Sequence, residues 1–316
     1  MRLWKLTLSY DGTCFHGWQV QPHLPTVQGT LAAAIRHITG ESVLPQGSGR
    51  TDAGVHALAQ VASFSLTCSI PAANLHRALN RLLPGSVRVL SVDVVEPPFH
   101  ARHSAIRKTY EYRIFASPAS LKGRGSRGSP VEGSRGERFP DRSSDETLPY
   151  RTEANICPPM LAPYVWDYPL PLDISILNRA ASHILGQHDF TSFAAAGPEL
   201  RGEVLADALP GYPETPPTAC RLISTSCWSY SSSASHSLSG SNTSSERRVP
   251  DLLVYRVTGS GFLHHMVRNL VGTFVHAGAG RASADAIPAI LSARSRSAAG
   301  STAPARGLFL VEVEYP

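Results

Sequence analysis

The stretch Gly47-Ser-Gly-Arg-Thr-Asp-Ala-Gly-Val-His56 packs three glycines, an arginine and a carboxylate into ten residues. Its glycines depart from the dinucleotide-binding pattern G-x-G-x-x-G, because the third glycine is displaced by two positions. That pattern also needs a helix directly after it, whereas the residues that follow here alternate like a strand. The chain contains no phosphate-binding G-x-x-x-x-G-K-[ST] sequence either. The stretch therefore predicts a loop that presents a side chain, and not a nucleotide-cofactor site.

Asp52 is the carboxylate of this loop, and Arg50 precedes it by two residues. A guanidinium close to a carboxylate favours its ionised form, which a nucleophile or a base requires. Aspartates are also common in turns, where they hydrogen-bond their own backbone. For the loop taken alone, this purely structural interpretation is the stronger of the two, so both stay open at this point.

Hydrophobic periodicity predicts strands and helices in an irregular order. Residues 5–10 alternate with Leu6, Leu8 and Tyr10 on one face, which is typical of a half-buried strand. Thr26 is placed to cap a helix that runs to about Ile38 and ends at Gly40. Strands are also predicted over residues 60–66, 108–115, 252–257 and 307–316, and helices over residues 75–82, 173–184 and 263–276. Because strict β-α-β alternation is absent, we predict an α+β fold with a mostly antiparallel sheet.

The helix predicted over residues 263–276 has one continuous apolar stripe. His264 and Arg268, four residues apart, are expected to stack together beside this stripe. An arginine on a largely buried helix needs an anion as its partner. The stripe consists of Leu263, Met266, Val267, Leu270 and Phe274.

Two stretches of biased composition interrupt these patterns. Residues 117–151 are rich in Gly, Ser, Arg and Pro, and residues 229–245 are nearly pure Ser. The first stretch cannot bury enough apolar surface to offset its ordering entropy, so we expect a disordered or weakly ordered insertion. The second lies between two strand-like runs and is interpreted as an extended hairpin loop.

Composition narrows the class of protein. The formal net charge of +5 over 316 residues suits a polyanionic partner, although so small an excess is also ordinary for a soluble protein. Five cysteines without a C-x-x-C pair disfavour a zinc ribbon and a disulfide framework. No apolar run has the length of a signal peptide or of a membrane helix. We therefore expect a soluble, cytoplasmic protein.

Eight motifs, taken in order, resemble those of the tRNA pseudouridine synthase A family. The resemblance spans nearly the whole chain outside the two insertions, and one motif alone would be only suggestive. Ser48 replaces the small apolar residue often found at its position. The motifs are Tyr10-Asp-Gly-Thr with Gly17-Trp-Gln, Thr26-Val-Gln-Gly29, Gly49-Arg-Thr-Asp-Ala-Gly-Val-His56, Phe99-His-Ala-Arg102, Lys108-Thr-Tyr-Glu-Tyr112, His188-Asp-Phe-Thr-Ser-Phe193, Gly261-Phe-Leu-His-His-Met-Val-Arg-Asn-Leu-Val-Gly272 and Ala303-Pro-Ala-Arg-Gly-Leu-Phe-Leu310.

The resemblance implies the pseudouridine synthase fold, with two α/β halves and a catalytic cleft between them. The halves would be residues 1–105, with the nucleophile loop, and residues 106–316, with both insertions. Such enzymes detach uracil from C1′ of a uridine, rotate it and rejoin it through C5, without a metal or another cofactor. The expected targets are positions 38, 39 and 40 in the anticodon arm of tRNA, and a homodimer is expected.

The resemblance also implies roles for individual residues. Asp52 matches the nucleophile, and Arg50 would be its ion-pair partner and would help the target base to flip out. Tyr110 matches an active-site tyrosine that stacks on the uracil and whose hydroxyl could help move the C5 proton; the alternative is a core tyrosine. Arg268 matches the basic residue that faces the aspartate. Leu308 matches an apolar wall of the uracil pocket, although a plain core leucine is nearly as good an interpretation.

Two other functions compete with this one. A non-catalytic RNA-binding protein could share the fold, but the presence of Asp52 argues against it. A glycosidase-like hydrolase needs two carboxylates at a fixed separation, and no second one accompanies Asp52 in its motif. The pair His264-His265 looks like metal ligands in isolation. Because no third ligand has suitable sequence spacing, the two histidines are interpreted as structural or RNA-contacting.

Overall fold

The computed structural model describes residues 1–116, 156–195, 219–231 and 252–316. In these ranges one mixed sheet of ten strands carries the chain, with the main order β4-β1-β3-β10-β5-β9-β8-β7. Strand β2 pairs with β3, and β6 pairs with β5. The strands are β1 Arg2–Tyr10, β2 Gln46–Gly47, β3 His56–Leu66, β4 Val87–Val95, β5 Arg107–Ala116, β6 Trp166–Tyr168, β7 Gly186–Asp189, β8 Cys220–Tyr230, β9 Leu253–Gly259 and β10 Leu308–Glu314.

Five α-helices are present in the described ranges. They are α1 Val27–Thr39, α2 Ala72–Leu82, α3 Ile174–Ser182, α4 Met266–Gly278 and α5 Ile287–Ala293. None of the helices in these ranges has the length and apolarity that crossing a membrane requires. Most strand pairs are antiparallel, with β3–β10 and β5–β6 as the parallel ones, so the predicted α+β class is confirmed.

Strand β1 and helix α1 fold as their local signals predict. In β1 every second residue from Trp4 to Tyr10 is buried, which matches the predicted face. The Thr26 hydroxyl accepts the Gly29 N–H and caps α1, and Gly40 ends the helix in the left-handed conformation. These confirmed features depend on neighbours within a few residues, which sequence patterns report well.

Strand β10 joins the two halves of the sheet. It pairs in parallel with β3 and antiparallel with β5, so the last strand of the chain lies between strands from both halves. One hydrophobic core accordingly runs through the described parts of both halves. The loop that carries Asp52, just before β3, is thereby brought beside the start of β10 and the middle of β5.

Several details differ from the prediction. Strand β3 begins at His56, four residues earlier than expected, and β2, β4, β6, β7 and α5 are absent from the predicted elements. In α2, Leu82 is 44% exposed and does not belong to the buried face. Helix α4 begins at Met266, three residues later than predicted, because His265 has a φ of 60° that a right-handed helix cannot include. His264 therefore precedes the helix and does not share a helical face with Arg268.

The two insertions lie mainly outside the described residues. This holds for all of residues 117–151 and for residues 232–245. Ser229 and Tyr230 belong to β8 and not to a loop, because Tyr230 pairs with Leu253 of β9. The predicted hairpin is consistent with this antiparallel pairing of the flanking strands.

Candidate active site

The loop that carries Asp52 is fixed from behind by buried hydrogen bonds. The Tyr10 hydroxyl lies 2.8 Å from the Thr51 hydroxyl, and the Gln60 amide donates to the Gly49 carbonyl at 3.0 Å. The Ser48 hydroxyl donates to Gln60 Oε1 at 2.6 Å, which gives the serine at this position a defined role. Burial raises the pKa of Tyr10 to about 12, so its phenol stays neutral and keeps the hydrogen bond.

Close backbone packing holds the same loop from the side. Gly17 has a φ of 86°, and a Cβ atom there would lie 2.5 Å from the Thr51 carbonyl oxygen. The Trp18 N–H donates to that oxygen at 3.1 Å, and Lys108 Nζ donates to the Ser48 carbonyl at 2.6 Å. Neighbouring residues therefore hydrogen-bond the carbonyl groups of the loop. The Asp52 side chain points away from these contacts, towards Arg268 in the second half of the chain.

Asp52 forms an ion pair with Arg268 across the two halves. The Arg268 Nη1 atom lies 2.9 Å from Asp52 Oδ2, and both side chains are only about 15% exposed (15% and 16%). Arg268 Nε also donates to the Ala303 carbonyl at 2.8 Å. These two contacts orient the guanidinium, since a charge-assisted hydrogen bond is short and directional. The predicted pairing of these two residues thus appears in the structure.

Helix α4 explains why Arg268 is held so firmly. All of its residues are buried except Arg268 and His276. The next residue, Asn269, is fully buried; its amide donates to the Phe193 carbonyl, and its oxygen accepts from Arg296 and Thr302. A buried polar side chain with all its partners present fixes the rotation of the helix, and thereby the direction of Arg268.

His264 and His265 reach the same carboxylate. Their Nε2 atoms lie 3.5 Å and 3.4 Å from the Asp52 oxygens. Burial is the main cause of the lowered pKa of His265, and it outweighs the opposite effect of the Asp52 charge. Sequence spacing does not reveal a third possible ligand for this pair, but the fold places the Asp52 carboxylate, more than 200 residues away, within 4.8 Å of both imidazoles.

The cleft around Asp52 has a volume of about 490 Å³, which is in the range of small-ligand sites. Residues from both halves line it, among them Tyr110 and Leu308. Both side chains are largely buried, at 7% and 6% exposure, and the Tyr110 ring meets Phe262 edge-on at 5.1 Å. No described residue hydrogen-bonds the Tyr110 hydroxyl. An apolar and aromatic surface therefore lies beside one carboxylate.

The rim of this cleft is basic. Arg50, Arg102 and Lys108 line the cavity together with Asp52. Arg50 is exposed, and its predicted roles stay predictions. All five predicted site residues line the cavity or contact Asp52. The sequence analysis missed Arg102, Lys108 and Phe262 as lining residues, although each of them lies within one of the eight motifs.

The α+β fold has a mostly antiparallel sheet, and the Asp52 carboxylate faces a cleft lined by residues from both ends of the chain. This is the arrangement that the resemblance to pseudouridine synthases implies. The family model described as tRNA pseudouridine synthase matches residues 7–104 and 219–316. Asp52 lies in the first matched stretch, Arg268 and Leu308 lie in the second, and Tyr110 lies between them.

Full-length relatives agree with the family model. The chain is 41% identical to tRNA pseudouridine synthase A of Solibacter usitatus, with 100% of both chains covered. It is 38% identical to the Moorella thermoacetica protein of the same name, with 98% of both covered, and 34% identical to that of Bacillus subtilis, with 100% and 99% covered. The chain therefore belongs to the tRNA pseudouridine synthase family, whose members are isomerases.

Proposed function

We propose that the chain isomerises uridine to pseudouridine at positions 38, 39 and 40 in the anticodon arm of tRNA, with Asp52 as the nucleophile. The observation that carries the proposal is the Asp52–Arg268 ion pair at 2.9 Å, at the cavity of about 490 Å³. Arg268 contacts one oxygen of the carboxylate and thereby orients the Asp52 side chain at the cleft. Family membership supports the reaction, and the resemblance of the motifs supports the anticodon arm as the target.

The proposed reaction balances without an oxidant or a reductant. The Asp52 carboxylate attacks C1′, and the bond from C1′ to N1 breaks with its electron pair on the uracil. The uracil rotates, C5 bonds to C1′, and the carboxylate leaves. A proton is then lost from C5 and one is gained at N1, so substrate and product are isomers. Asp52 returns to its ionised form beside Arg268.

Tyr110 and Leu308 are proposed to hold the uracil while it rotates. Aromatic rings stack on unpaired bases without sequence readout, and Leu308 offers an apolar wall on the same cavity. Burial raises the pKa of Tyr110, so its hydroxyl is protonated at neutral pH and available to hydrogen-bond the moving base. Arg50, exposed at the rim, is proposed to assist base flipping, which costs a few kcal/mol of unstacking.

Three further features belong to the proposal. The boundary between the halves is placed at residues 105 and 106, just before β5. The chain is proposed to act as a homodimer, and a location in the cytoplasm follows from the tRNA substrate. Sedimentation of the purified chain with and without tRNA tests the dimer, since a monomeric complex would contradict it.

The geometry of the cleft supports a glycosidase-like hydrolase less well than it supports a pseudouridine synthase. Retaining and inverting glycosidases need a second carboxylate about 5–10 Å from the first. Among the described residues that line the cavity, Asp52 is the one carboxylate. A non-catalytic RNA-binding protein would have no need of an oriented nucleophile.

The test uses unmodified tRNA transcripts and the purified chain, without added metal or nucleotide. Pseudouridine is mapped by carbodiimide labelling and primer extension. We expect conversion in the anticodon arm for the wild type and none for Asp52→Asn. Asp93→Asn, an exposed carboxylate on the edge strand β4, is the matched control and should convert like the wild type. Conversion by Asp52→Asn at the wild-type rate would refute the assignment.

A further inference from the structure

Asp52, His264 and His265 each point one ligand atom into the same space, and these atoms all lie within 4.8 Å of one another. We propose that this Asp–His–His triad binds a divalent transition metal of the Zn²⁺ class, and that the bound ion inhibits the enzyme by occupying its nucleophile. Metal binding stands on the geometry alone. The inhibition rests on the proposed function, which itself uses no metal.

The separations between the ligand atoms fit a tetrahedral ion. Zinc bonds to nitrogen and oxygen are about 2.0–2.1 Å long, so two ligand atoms of one tetrahedral ion are about 3.3 Å apart. The His264 Nε2 atom lies 3.5 Å from Asp52 Oδ1, and the His265 Nε2 atom lies 3.4 Å from Asp52 Oδ2. Both separations are close to the tetrahedral value, and binding of one ion through Oδ1 additionally requires the His265 ring to turn towards that oxygen.

The donor set selects the kind of ion. Two imidazole nitrogens and one carboxylate oxygen suit Zn²⁺, Co²⁺ and similar ions, whereas Mg²⁺ and Ca²⁺ prefer all-oxygen sites. Three protein ligands leave a fourth position for water, as in open zinc sites. The Mg²⁺ that accompanies tRNA is consequently not expected to compete for this site.

The positions of the two histidine rings favour metal binding. The left-handed backbone at His265 accompanies a close ring pair, with centroids 4.0 Å apart and both rings near Asp52. The His264 side chain is 52% exposed, which leaves the ion a path from solvent.

Arg268 limits the affinity and makes the inhibition reversible. Its guanidinium holds Asp52 Oδ2 at 2.9 Å, so Oδ1 is the oxygen left for the ion. The positive charge of Arg268 also opposes a second cation nearby. The triad is thus an inhibitory site that responds to metal concentration, and not a permanent structural centre.

The binding test titrates metal-free protein with Co²⁺ and follows its visible d–d absorption, and then displaces it with Zn²⁺. The test variant is His264→Ala combined with His265→Asn, because asparagine tolerates the left-handed conformation. His23→Asn is the matched control, since His23 is exposed, outside the cavity lining and also left-handed with a φ of 61°. We expect the double variant to bind about 100-fold more weakly or worse, and the control to bind like the wild type. Equal binding by the double variant would overturn the proposal.

The activity test measures pseudouridine formation with and without Zn²⁺, then after addition of a chelator. Each protein is compared with its own metal-free rate. We expect reversible inhibition of the wild type, a much smaller fractional inhibition of the double variant, and none by Mg²⁺. If Co²⁺ binds at the triad but Zn²⁺ leaves the rate unchanged, the inhibitory role is wrong. If the metal-free wild type forms no pseudouridine, the proposed function and the inhibition fall together, while the binding result stands separately.

Discussion

The ion pair between Asp52 and Arg268 should couple the two halves of the chain measurably. We consider Asp52→Ala, Arg268→Met and the double variant, and compare their free energies of unfolding. A charge-assisted hydrogen bond contributes about 1.5–3 kcal/mol when it is largely buried. The pair here is 2.9 Å long with both side chains about 85% buried, so we expect a coupling in that range. The lost contact of Arg268 to the Ala303 carbonyl cancels in the cycle.

A second pair on the same molecule provides the control. Arg179 and Asp285 lie 2.7 Å apart, but their side chains are 65% and 51% exposed. Exposed pairs typically contribute about 0.2–1 kcal/mol. The cycle of Arg179→Met with Asp285→Ala should therefore give a smaller coupling, although its pair distance is shorter.

Urea denaturation followed by both fluorescence and circular dichroism measures the two cycles, with coincident transitions as the check on two-state behaviour. The same proteins are assayed for pseudouridine formation. Asp52→Ala should be inactive, and Arg268→Met should lose about 10- to 150-fold in kcat/KM if the interaction that orients Asp52 contributes about 1.5–3 kcal/mol in the transition state. A coupling no larger than that of the exposed pair would refute the argument that Arg268 holds the nucleophile.

Three other substitutions test separate parts of the structure. Backbone N–H groups of the turn at Thr67 lower the pKa of Glu41 to about 2; the stabilisation is complete above the unfolded value near 4.5 and is lost as the pH falls towards 2. The urea midpoints of wild type and Glu41→Gln should converge over that window, and a constant difference would contradict this. Tyr110→Phe should unfold within about 0.5 kcal/mol of the wild type yet slow pseudouridine formation; an unchanged rate would remove the hydroxyl from the mechanism. Gly272→Ala places a Cβ atom in collision with the Ser301 carbonyl. We therefore expect the free energy of unfolding, measured in urea, to fall by about 1–3 kcal/mol, and catalysis to be slower. An unchanged stability and an unchanged rate would show that the segment at Ser301 moves freely to make room.

Much of the fold is predictable because its signals are local. The alternation in β1 and the caps of α1 report contacts within a few residues, and both are confirmed. Strand β4 is harder, because only Val87 and Val89 are buried and the remainder of this edge strand is half-buried or exposed. The late start of α4 depends on one left-handed residue, His265, which helical periodicity does not reveal.

The site is predictable only in part. The local pattern around Asp52 favours a turn residue, and the resemblance of eight motifs was needed to select Arg268 and Tyr110. The contact of His264 and His265 with Asp52 lies beyond sequence spacing, because it depends on how β10 brings α4 and the nucleophile loop together. The role of the Ser48 hydroxyl is also not predictable from sequence spacing, because its hydrogen-bond partner Gln60 becomes known only from the packing beneath the loop.

The distribution of these contacts explains how one loop can be rigid and still reactive. The loop is held by hydrogen bonds from Tyr10, Trp18, Gln60 and Lys108, and none of these bonds uses the Asp52 carboxylate. The contacts to the carboxylate itself come from the start of α4 and the residues just before it, and two of the three are from histidines at 3.4 Å or more. A substrate or a metal ion can therefore replace the histidine contacts without disturbing the loop, whereas loss of Arg268 would remove its one short contact. The same arrangement leaves Asp52 open both to the proposed uridine substrate and to the proposed inhibition by an ion of the Zn²⁺ class.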